Sequence, residues 1–236
     1  MNTPDQLFDV YNAASLLGDR GRKQFHAMTK PIGSTCNLDC TYCYYLSKEN
    51  LAKGPGTGRM SDETLELFIQ QYIAGVTGDQ VVFSWQGGEP TLLGLDFFRK
   101  VIAFQKKHAK PGQRIENDLQ TNGTLLDEEW CDFLKEHRFL VGLSIDGPME
   151  IHDHYRVTKG KQPTFDKVFA AAKLLQRRGV PFNTLTCVHR FNGRKPKEVY
   201  KFLRQELDSR YIQFIPIVEH KHFERVAPQK WSNGEL

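Results

Sequence analysis

The chain has 236 residues, of which 39% are hydrophobic and 25% charged, enough for a substantial core in one large α/β domain or two small ones. A net charge of +4 is too mild to predict a nucleic-acid partner, and no apolar run is long enough to predict a membrane span. The polar N-terminus lacks the order of a secretory signal, and five clustered cysteines suit a reducing cytoplasm better than a disulfide framework.

Short β-branched, apolar runs alternate with amphipathic segments along the chain. The runs predict six strands, at 24–32, 80–86, 114–121, 139–146, 181–189 and 210–218. The amphipathic segments predict five helices, at 61–75, 95–110, 127–137, 164–179 and 195–207. Strict alternation predicts right-handed βαβ units and a parallel sheet. We expect an α/β fold that forms a partial (βα)6 barrel with outer helices; a flat doubly wound sheet is the second choice.

Capping residues support three of these helices. Ser61 precedes two acids that suit a positive first helical turn, and Asp127 opens the third helix in the same way. The fourth begins at Thr164, and Gly179 suits its C-terminus. The Gly/Pro-rich stretch 48–60 is interpreted as a flexible connector.

Three cysteines, Cys36, Cys40 and Cys43, follow the first predicted strand with the spacing C-x3-C-x2-C. In a parallel α/β protein, the carboxyl ends of the strands carry the reactive loops. Structural zinc needs four ligands, and a disulfide would leave one thiol unused. An iron–sulfur cluster held by three thiolates instead keeps one iron open for a substrate or cofactor. The count of three therefore favours a cluster, with a non-catalytic zinc-binding module as the alternative from another class.

The stretch CNLDCTYCYY resembles the signature of the radical S-adenosylmethionine (SAM) superfamily, including the aromatic Tyr42 before the last cysteine. The resemblance implies a [4Fe–4S] cluster on the three cysteines, whose open iron chelates SAM. It also implies reductive cleavage of SAM to methionine and a 5′-deoxyadenosyl radical. The cofactors carry the difficult chemistry, while the protein positions them and excludes water.

Later motifs extend the resemblance to SAM contacts. The stretch WQGGEPTLLG implies that Gly88 lies at the methionine ammonium group, although a bare Gly-Gly pair is also typical of a simple turn. The stretch LQTNGTLLD is in itself a turn. The implied SAM-binding residues are Tyr42, Gly88, Ser144, Arg156 and Val218, the last against the adenine.

From about residue 25 to 220 the chain is similar to the anaerobic sulfatase-maturating enzymes, as in FLVGLSIDGPMEIHDHYR. These enzymes oxidise a cysteine or serine of an unfolded sulfatase polypeptide to Cα-formylglycine. The similarity implies that Gln86 lies near this peptide and that a reductant such as flavodoxin or ferredoxin supplies electrons. Another radical SAM peptide maturase of the SPASM type remains an alternative.

We expect three regions: an N-terminal extension (1–24), a barrel core (25–220) and the start of a truncated C-terminal region (221–236). The family carries its auxiliary clusters and proposed catalytic base in a cysteine-rich C-terminal region, whereas this sequence has no cysteine after Cys187. We therefore leave the catalytic base unassigned and expect the radical-generating half alone.

Two cysteines and two histidines lie outside these motifs. Cys131 and Cys187 have no ligand spacing to other residues, so we expect both to be small buried hydrophobes. His152 and His154 suggest a metal site by their spacing, but a solvated loop is the preferred interpretation.

Overall fold

The computed structural model describes residues 25–43, 45 and 58–217. The strands are β1 (Ala27–Thr29), β2 (Gln80–Trp85), β3 (Arg114–Thr121), β4 (Leu140–Ser144), β5 (Phe182–Val188) and β6 (Ile212–Pro216). The α-helices are α1 (Asp62–Gly75), α2 (Leu95–His108), α3 (Glu128–Glu136), α4 (Met149–Asp153), α5 (Phe165–Arg178) and α6 (Pro196–Lys201). A π-helical segment continues α6, and two 3-10 turns precede α2 and α6; these segments are Phe202–Glu206, Pro90–Leu93 and Asn192–Arg194.

All five strand pairs are parallel, and the strands lie in the order β1-β2-β3-β4-β5-β6. Right-handed crossovers between neighbours that never reverse their order place all the connecting helices on one face of the sheet. A doubly wound sheet needs a reversal of strand order, which this sheet lacks. The predicted open (βα)6 half-barrel is therefore confirmed, and the flat alternative is wrong.

The main core lies between the sheet and its helices. Phe83 and Trp85 of β2 are fully buried, with their rings stacked at 5.9 Å between centroids. Phe98 of α2 meets the edge of the Trp85 ring at 6.1 Å, and Leu119 of β3 and Leu143 of β4 extend the same layer. Burying side chains of this size contributes about 1.5–3 kcal/mol each. This layer fixes the strands, whose carboxyl ends carry the candidate site.

The opposite, concave face of the sheet is more polar. Ser84 of β2 lies directly beside Asp118 of β3, and its hydroxyl donates to the Asp118 carboxylate at 2.5 Å. His26 Nε2 lies 2.8 Å from the same hydroxyl oxygen. Burial raises the pKa of Asp118, and the hydrogen bond from Ser84 opposes that rise. A polar concave face can receive a hydrophilic ligand or a peptide backbone.

The boundaries of the predicted elements agree to within a few residues except at the first strand, and the short helix α4 was not predicted. The strand predicted at 24–32 is only three residues long. Pro31 has no amide hydrogen to donate, and the chain turns at Gly33, whose φ is 60°. This early end releases the residues that form the cysteine loop.

The predicted caps of α1 and α3 are present. Ser61 accepts from the backbone of Thr64, and Asp127 accepts from that of Trp130. The cap of α5 differs, because its first amides donate to the side chain of Asp153 at 2.8 Å, and the Thr164 hydroxyl donates to the carbonyl oxygen of Arg156. This contact joins the start of α5 to the loop after β4.

No helix in the described part of the chain is long and apolar enough to cross a membrane. The predicted extension at 1–24, most of the connector at 48–60 and the region 221–236 lie outside the described residues, so the predicted division into regions stays a prediction.

Candidate functional site

The cysteine loop, residues 30–43, leaves the carboxyl end of β1 as two tight turns. Gly33 donates to the carbonyl of Lys30 at 3.0 Å, and Cys43 donates to that of Cys40 at 2.8 Å. Cys40 is buried, whereas Cys36 and Cys43 are half-buried, and all three are free thiols. The predicted metal ligands therefore lie in one loop at the edge of the sheet where parallel α/β proteins hold their ligands.

The three thiols interact electrostatically. Burial raises the pKa of Cys40 to about 12, and negative charge on Cys43 or Cys36 would raise it further. Burial also raises the pKa of Cys36, where a hydrogen bond from the Leu38 amide, at 3.4 Å, acts in the opposite direction. A bound metal deprotonates coordinating thiols, so this donor set suits a group of high positive charge.

The arrangement also bears on the zinc alternative. A single tetrahedral zinc at about 2.3 Å from each sulfur needs its ligands to converge on one point. Among the residues that the structure describes, no three His, Cys, Asp or Glu side chains converge in this way. In an iron–sulfur cluster each thiolate binds a different iron, so three thiolates in one loop suit a four-iron cluster with one open iron.

The end of β2 packs directly against the cysteine loop. Gly88 donates to the carbonyl of Gly33 at 2.9 Å, and Glu89 donates to that of Thr35 at 2.9 Å. A Cβ atom on Gly88 would lie 2.0 Å from the carbonyl oxygen of Thr35, a contact that no side chain can make. The backbone that approaches Gly88 is therefore that of the cysteine loop, and its contact with SAM stays a prediction.

Glu89 is a site residue that the sequence analysis missed. Its carboxylate is fully buried and accepts four hydrogen bonds at 2.6–3.1 Å. The donors are the backbone amide and the hydroxyl of Thr91, the hydroxyl of Thr121 and the backbone amide of Asn122. Burial raises the pKa of Glu89, and the hydrogen bonds oppose the rise. The pattern in the sequence that could have predicted this role is an acid between a Gly-Gly pair and a proline, with Thr91 two residues later as a hydrogen-bond donor.

The Asn-Gly dipeptide after β3, predicted as a plain turn, reaches the cysteine loop. The Asn122 side-chain amide donates to Asn37 Oδ1 at 2.9 Å and lies 3.7 Å from Cys36 Sγ. Asn37 in turn donates to the Thr124 hydroxyl at 2.8 Å. Hydrogen bonds to cluster sulfur atoms tune the reduction potential of iron–sulfur sites. Asn122 is therefore placed to influence a cluster held by Cys36.

Asp146, two residues after β4, joins the cysteine loop to the rest of the site. Its carboxylate is fully buried. It accepts hydrogen bonds from Arg156 Nε at 2.9 Å and from the backbone amide of Cys187 at 3.0 Å. It also accepts a short hydrogen bond from the Tyr42 hydroxyl. The Arg156 guanidinium lies over the Tyr42 ring, 5.6 Å from its centroid. Tyr42 and Arg156, two predicted SAM contacts, therefore meet through one carboxylate.

The charge of Arg156 is compensated inside the protein. Burial lowers the pKa of Arg156, but Asp146 and the nearby Tyr42, Cys40 and Cys187 outweigh it, so the pKa lies well above the ordinary value. Burial has the opposite effect on Tyr42, whose pKa it raises well above the ordinary value, against the influence of Arg156. The Tyr42 hydroxyl is therefore a neutral donor to Asp146.

The other predicted contacts are distributed around this centre. Ser144 is buried and is the last residue of β4. Gln86 follows β2 and is half-buried. Its backbone amide donates to the carbonyl of Thr29 at 2.9 Å. Val218 lies outside the described residues. The functional roles of all these residues remain predictions.

Two of the secondary predictions need correction. His152 is fully buried, with Nδ1 accepting from the Asp146 amide and Nε2 hydrogen-bonded to Thr164, so the solvated-loop interpretation was wrong for it. His154 is exposed, as predicted. Cys187 is half-buried and lies 3.9 Å from an Arg156 nitrogen, so it is a site residue rather than a core hydrophobe. Cys131 is fully buried, as predicted.

Comparison with known proteins gives the family. The family model of the Radical SAM superfamily matches residues 31–203, which include the three cysteines, β2 to β5 and Arg156. The chain belongs to the radical SAM superfamily. Membership explains why the cysteine loop, the Gly-Gly turn and the ends of β3 and β4 converge at one edge of the sheet.

Among radical SAM proteins, the chain is similar to sulfatase-maturating enzymes. It is 49% identical to a serine-type anaerobic sulfatase-maturating enzyme of Bacteroides thetaiotaomicron, over 84% of this chain and 47% of that protein. It is 43% identical to a cysteine-type enzyme of Clostridium perfringens, over 82% of this chain and 53% of that protein. The chain thus spans about half the length of these relatives.

A solved structure described as native anSMEcpe with bound AdoMet and Cp18Cys peptide superimposes with a TM-score of 0.76 at 37% identity. The match covers 90% of this chain and 62% of that one. The half-barrel and its site edge are therefore shared with a protein that binds AdoMet and a peptide.

Proposed function

We propose that this chain is the radical SAM core of an anaerobic sulfatase-maturating enzyme, which oxidises a cysteine or serine of a sulfatase polypeptide to Cα-formylglycine. The observation that carries the proposal is the convergence of the cysteine loop with the ends of β2, β3 and β4. The chain that shows it is 49% identical to such an enzyme over 84% of its own residues.

In this proposal Cys36, Cys40 and Cys43 hold a [4Fe–4S] cluster. When bound, the cluster and SAM supply the one-electron radical chemistry. Asn122 donates toward the Cys36 sulfur, and Gly88 and Glu89 hold the loop through the carbonyls of Gly33 and Thr35. These contacts fix the thiolates before a ligand arrives, which lowers the entropic cost of binding.

Among the residues proposed for SAM, Gly88 follows β2, whereas Tyr42, Ser144 and Arg156 lie on the β4 side of the site. Asp146 orients the Arg156 guanidinium and the Tyr42 ring through two hydrogen bonds, and Ser144, the last residue of β4, lies two residues before it. Val218 completes the predicted set from the resemblance alone. A buried, charge-compensated site of this kind excludes water from a reactive ligand.

The polypeptide substrate would enter from the concave face. Gln86 directly follows β2, and Ser84 of β2 is hydrogen-bonded to Asp118 of β3 on this polar face. We assign the electron donor to a small redox protein such as flavodoxin or ferredoxin and the location to the cytoplasm, where free thiols such as these five persist.

The test is anaerobic reconstitution of the chain with iron and sulfide, followed by SAM and dithionite, with chromatography for 5′-deoxyadenosine. A Cys36→Ala variant is the matched control. Product from the wild type alone supports the radical SAM core. A chain that loads iron and leaves SAM intact contradicts the proposal.

Substrate class is tested with synthetic peptides that carry Cys or Ser in a Cys/Ser-x-Pro-x-Arg motif. Each peptide carries deuterium on the Cβ of its Cys or Ser, and mass spectrometry follows deuterium transfer to 5′-deoxyadenosine, a step that needs only the radical-generating half. Transfer supports sulfatase maturation, whereas SAM cleavage without transfer from either peptide favours a different peptide substrate for the same radical core.

A further inference from the structure

His189 directly follows β5, on the edge of the sheet that carries the cysteine loop. Its side chain is only 4% exposed. The ring stacks beside that of Tyr42, with centroids 5.9 Å apart, and meets the Tyr155 ring at 4.4 Å. His189 is therefore packed against the residue that lies between two of the cluster cysteines.

The hydrogen bonds of His189 define its tautomer. The backbone amide of Asn192 donates to Nδ1 at 3.2 Å, so Nδ1 is an acceptor and carries no hydrogen. Burial lowers the pKa of His189, although nearby Asp146 raises it, so the ring is neutral at neutral pH. In a neutral imidazole with Nδ1 unprotonated, the hydrogen is on Nε2.

This Nε2–H group has no hydrogen-bond partner among the described residues, although it is buried. The nearest acid oxygen is Asp146 Oδ2, at 3.9 Å, which already accepts from Tyr42 and Arg156. Buried donors are almost always paired, so this group calls for an acceptor from outside the described residues, and an oxygen of a ligand bound at the adjoining site would supply one. A neutral donor beside the Arg156 guanidinium favours an oxygen acceptor over a cation.

We propose that His189 is a further SAM-binding residue, whose Nε2–H donates a hydrogen bond to a ribose or carboxylate oxygen of SAM. The inference rests on the proposed function, because it takes SAM as the ligand at the ends of β4 and β5. It adds to the site a residue directly after β5 that the sequence analysis did not consider.

Two substitutions separate the two nitrogens. In His189→Asn, the side-chain oxygen replaces Nδ1 as the acceptor for the Asn192 amide, but the Nε2 donor is lost. In His189→Gln, the terminal amide replaces the Nε2 donor, but the Nδ1 acceptor is lost. The exposed His154→Asn is the matched control, because it lies nearby and outside the site.

The experiment measures SAM affinity by equilibrium dialysis on the reconstituted chain, with iron content and cluster absorbance recorded for each variant. We expect His189→Asn to weaken SAM binding by roughly fivefold to tenfold, as the loss of one neutral hydrogen bond does, with iron content unchanged. His189→Gln should stay within about threefold of the wild type, since it keeps the donor.

If His189 had only a structural role, His189→Gln would weaken SAM binding more than His189→Asn, because Asn keeps the bond to the Asn192 amide and Gln does not. That order of affinities overturns the inference. Equal affinity in both variants and the wild type also overturns it, while leaving the proposed function in place. A wild-type chain that loads iron without binding SAM overturns both, which distinguishes the two failures.

Discussion

The guanidinium of Arg156 and the carboxylate of Asp146 form an ion pair at 2.9 Å whose side chains are 9% and 0% exposed. A buried pair of this kind contributes little net stability, but removal of one partner leaves an uncompensated charge inside the protein. The pair therefore makes the loop after β4 sensitive to single substitutions.

We expect Asp146→Asn to lower the free energy of unfolding by about 3–5 kcal/mol, because the charge of Arg156 loses its counterion. The double variant Asp146→Asn with Arg156→Met should recover much of that loss, since no unpaired charge remains. Urea denaturation of the four proteins of this cycle measures the coupling. Additive losses would show that the ion pair is not what couples these positions.

Gly88→Ala should prevent the cysteine loop from reaching its position, because the new Cβ would lie 2.0 Å from the Thr35 carbonyl oxygen. We expect iron incorporation to fall severalfold. Gly160→Ala is the control, since the nearest atom to its Cβ is a side-chain oxygen at 3.8 Å. Iron quantification after reconstitution checks both, and normal iron in Gly88→Ala would contradict the packing argument.

Asn122→Ala removes the side-chain amide that lies 3.7 Å from Cys36 Sγ. A donor near a cluster sulfur stabilises the reduced, more negative state, so its loss should lower the reduction potential. An anaerobic redox titration followed by electron paramagnetic resonance measures the midpoint. The Asn122→Ala substitution also removes the hydrogen bond to Asn37 Oδ1, so Asn37→Ala, which removes the same bond but keeps the Asn122 amide, is the control. An equal shift in both variants would assign the effect to loop position instead of the sulfur contact.

His152 should make the protein less stable in acid. Burial lowers its pKa from 6.5 to about 3, with Arg156 acting in the same direction and Asp146 against it. The unfolded chain therefore binds more protons between these two values, so the free energy of unfolding falls as the pH drops from 6.5 toward 3.

The size of this effect is roughly 1.4 kcal/mol for each pKa unit of difference between the folded and unfolded states. In His152→Gln, the terminal amide keeps the bond to Thr164, so we expect lower stability at neutral pH but a flatter acid limb. The exposed His154→Gln should keep the wild-type slope. Denaturation midpoints across this pH range decide the matter, and an unchanged slope in His152→Gln would count against the assignment.

Local patterns predicted what depends on neighbours in sequence. The spacing of the three cysteines placed all the candidate ligands within one loop. Hydrophobic periodicity located the predicted helices and strands to within a few residues, apart from β1, but did not predict the short helix α4. Contacts that join distant segments were not predictable. Tyr42 and Asp146 are 104 residues apart, and their hydrogen bond depends on the register of every strand between them.

The same reason explains the buried polar residues. Glu89 and His189 have the residue types of solvated positions, and their burial becomes apparent only when the loops after neighbouring strands are brought together. The predicted contact of Gly88 with SAM stays a prediction, and the backbone that approaches Gly88 in the structure is that of the protein's own cysteine loop.

The strands pair in the order in which a ribosome would deliver them, and this has a consequence for assembly. The cysteine loop is made early, then meets Gly88 after β2, Asn122 after β3 and Asp146 after β4. Because a domain generally folds as a unit, the thiols stay open to iron delivery at least until the loop after β4 has emerged. We expect ribosome-bound chains stalled before residue 140 to exchange iron readily, and chains stalled beyond residue 217 to retain it.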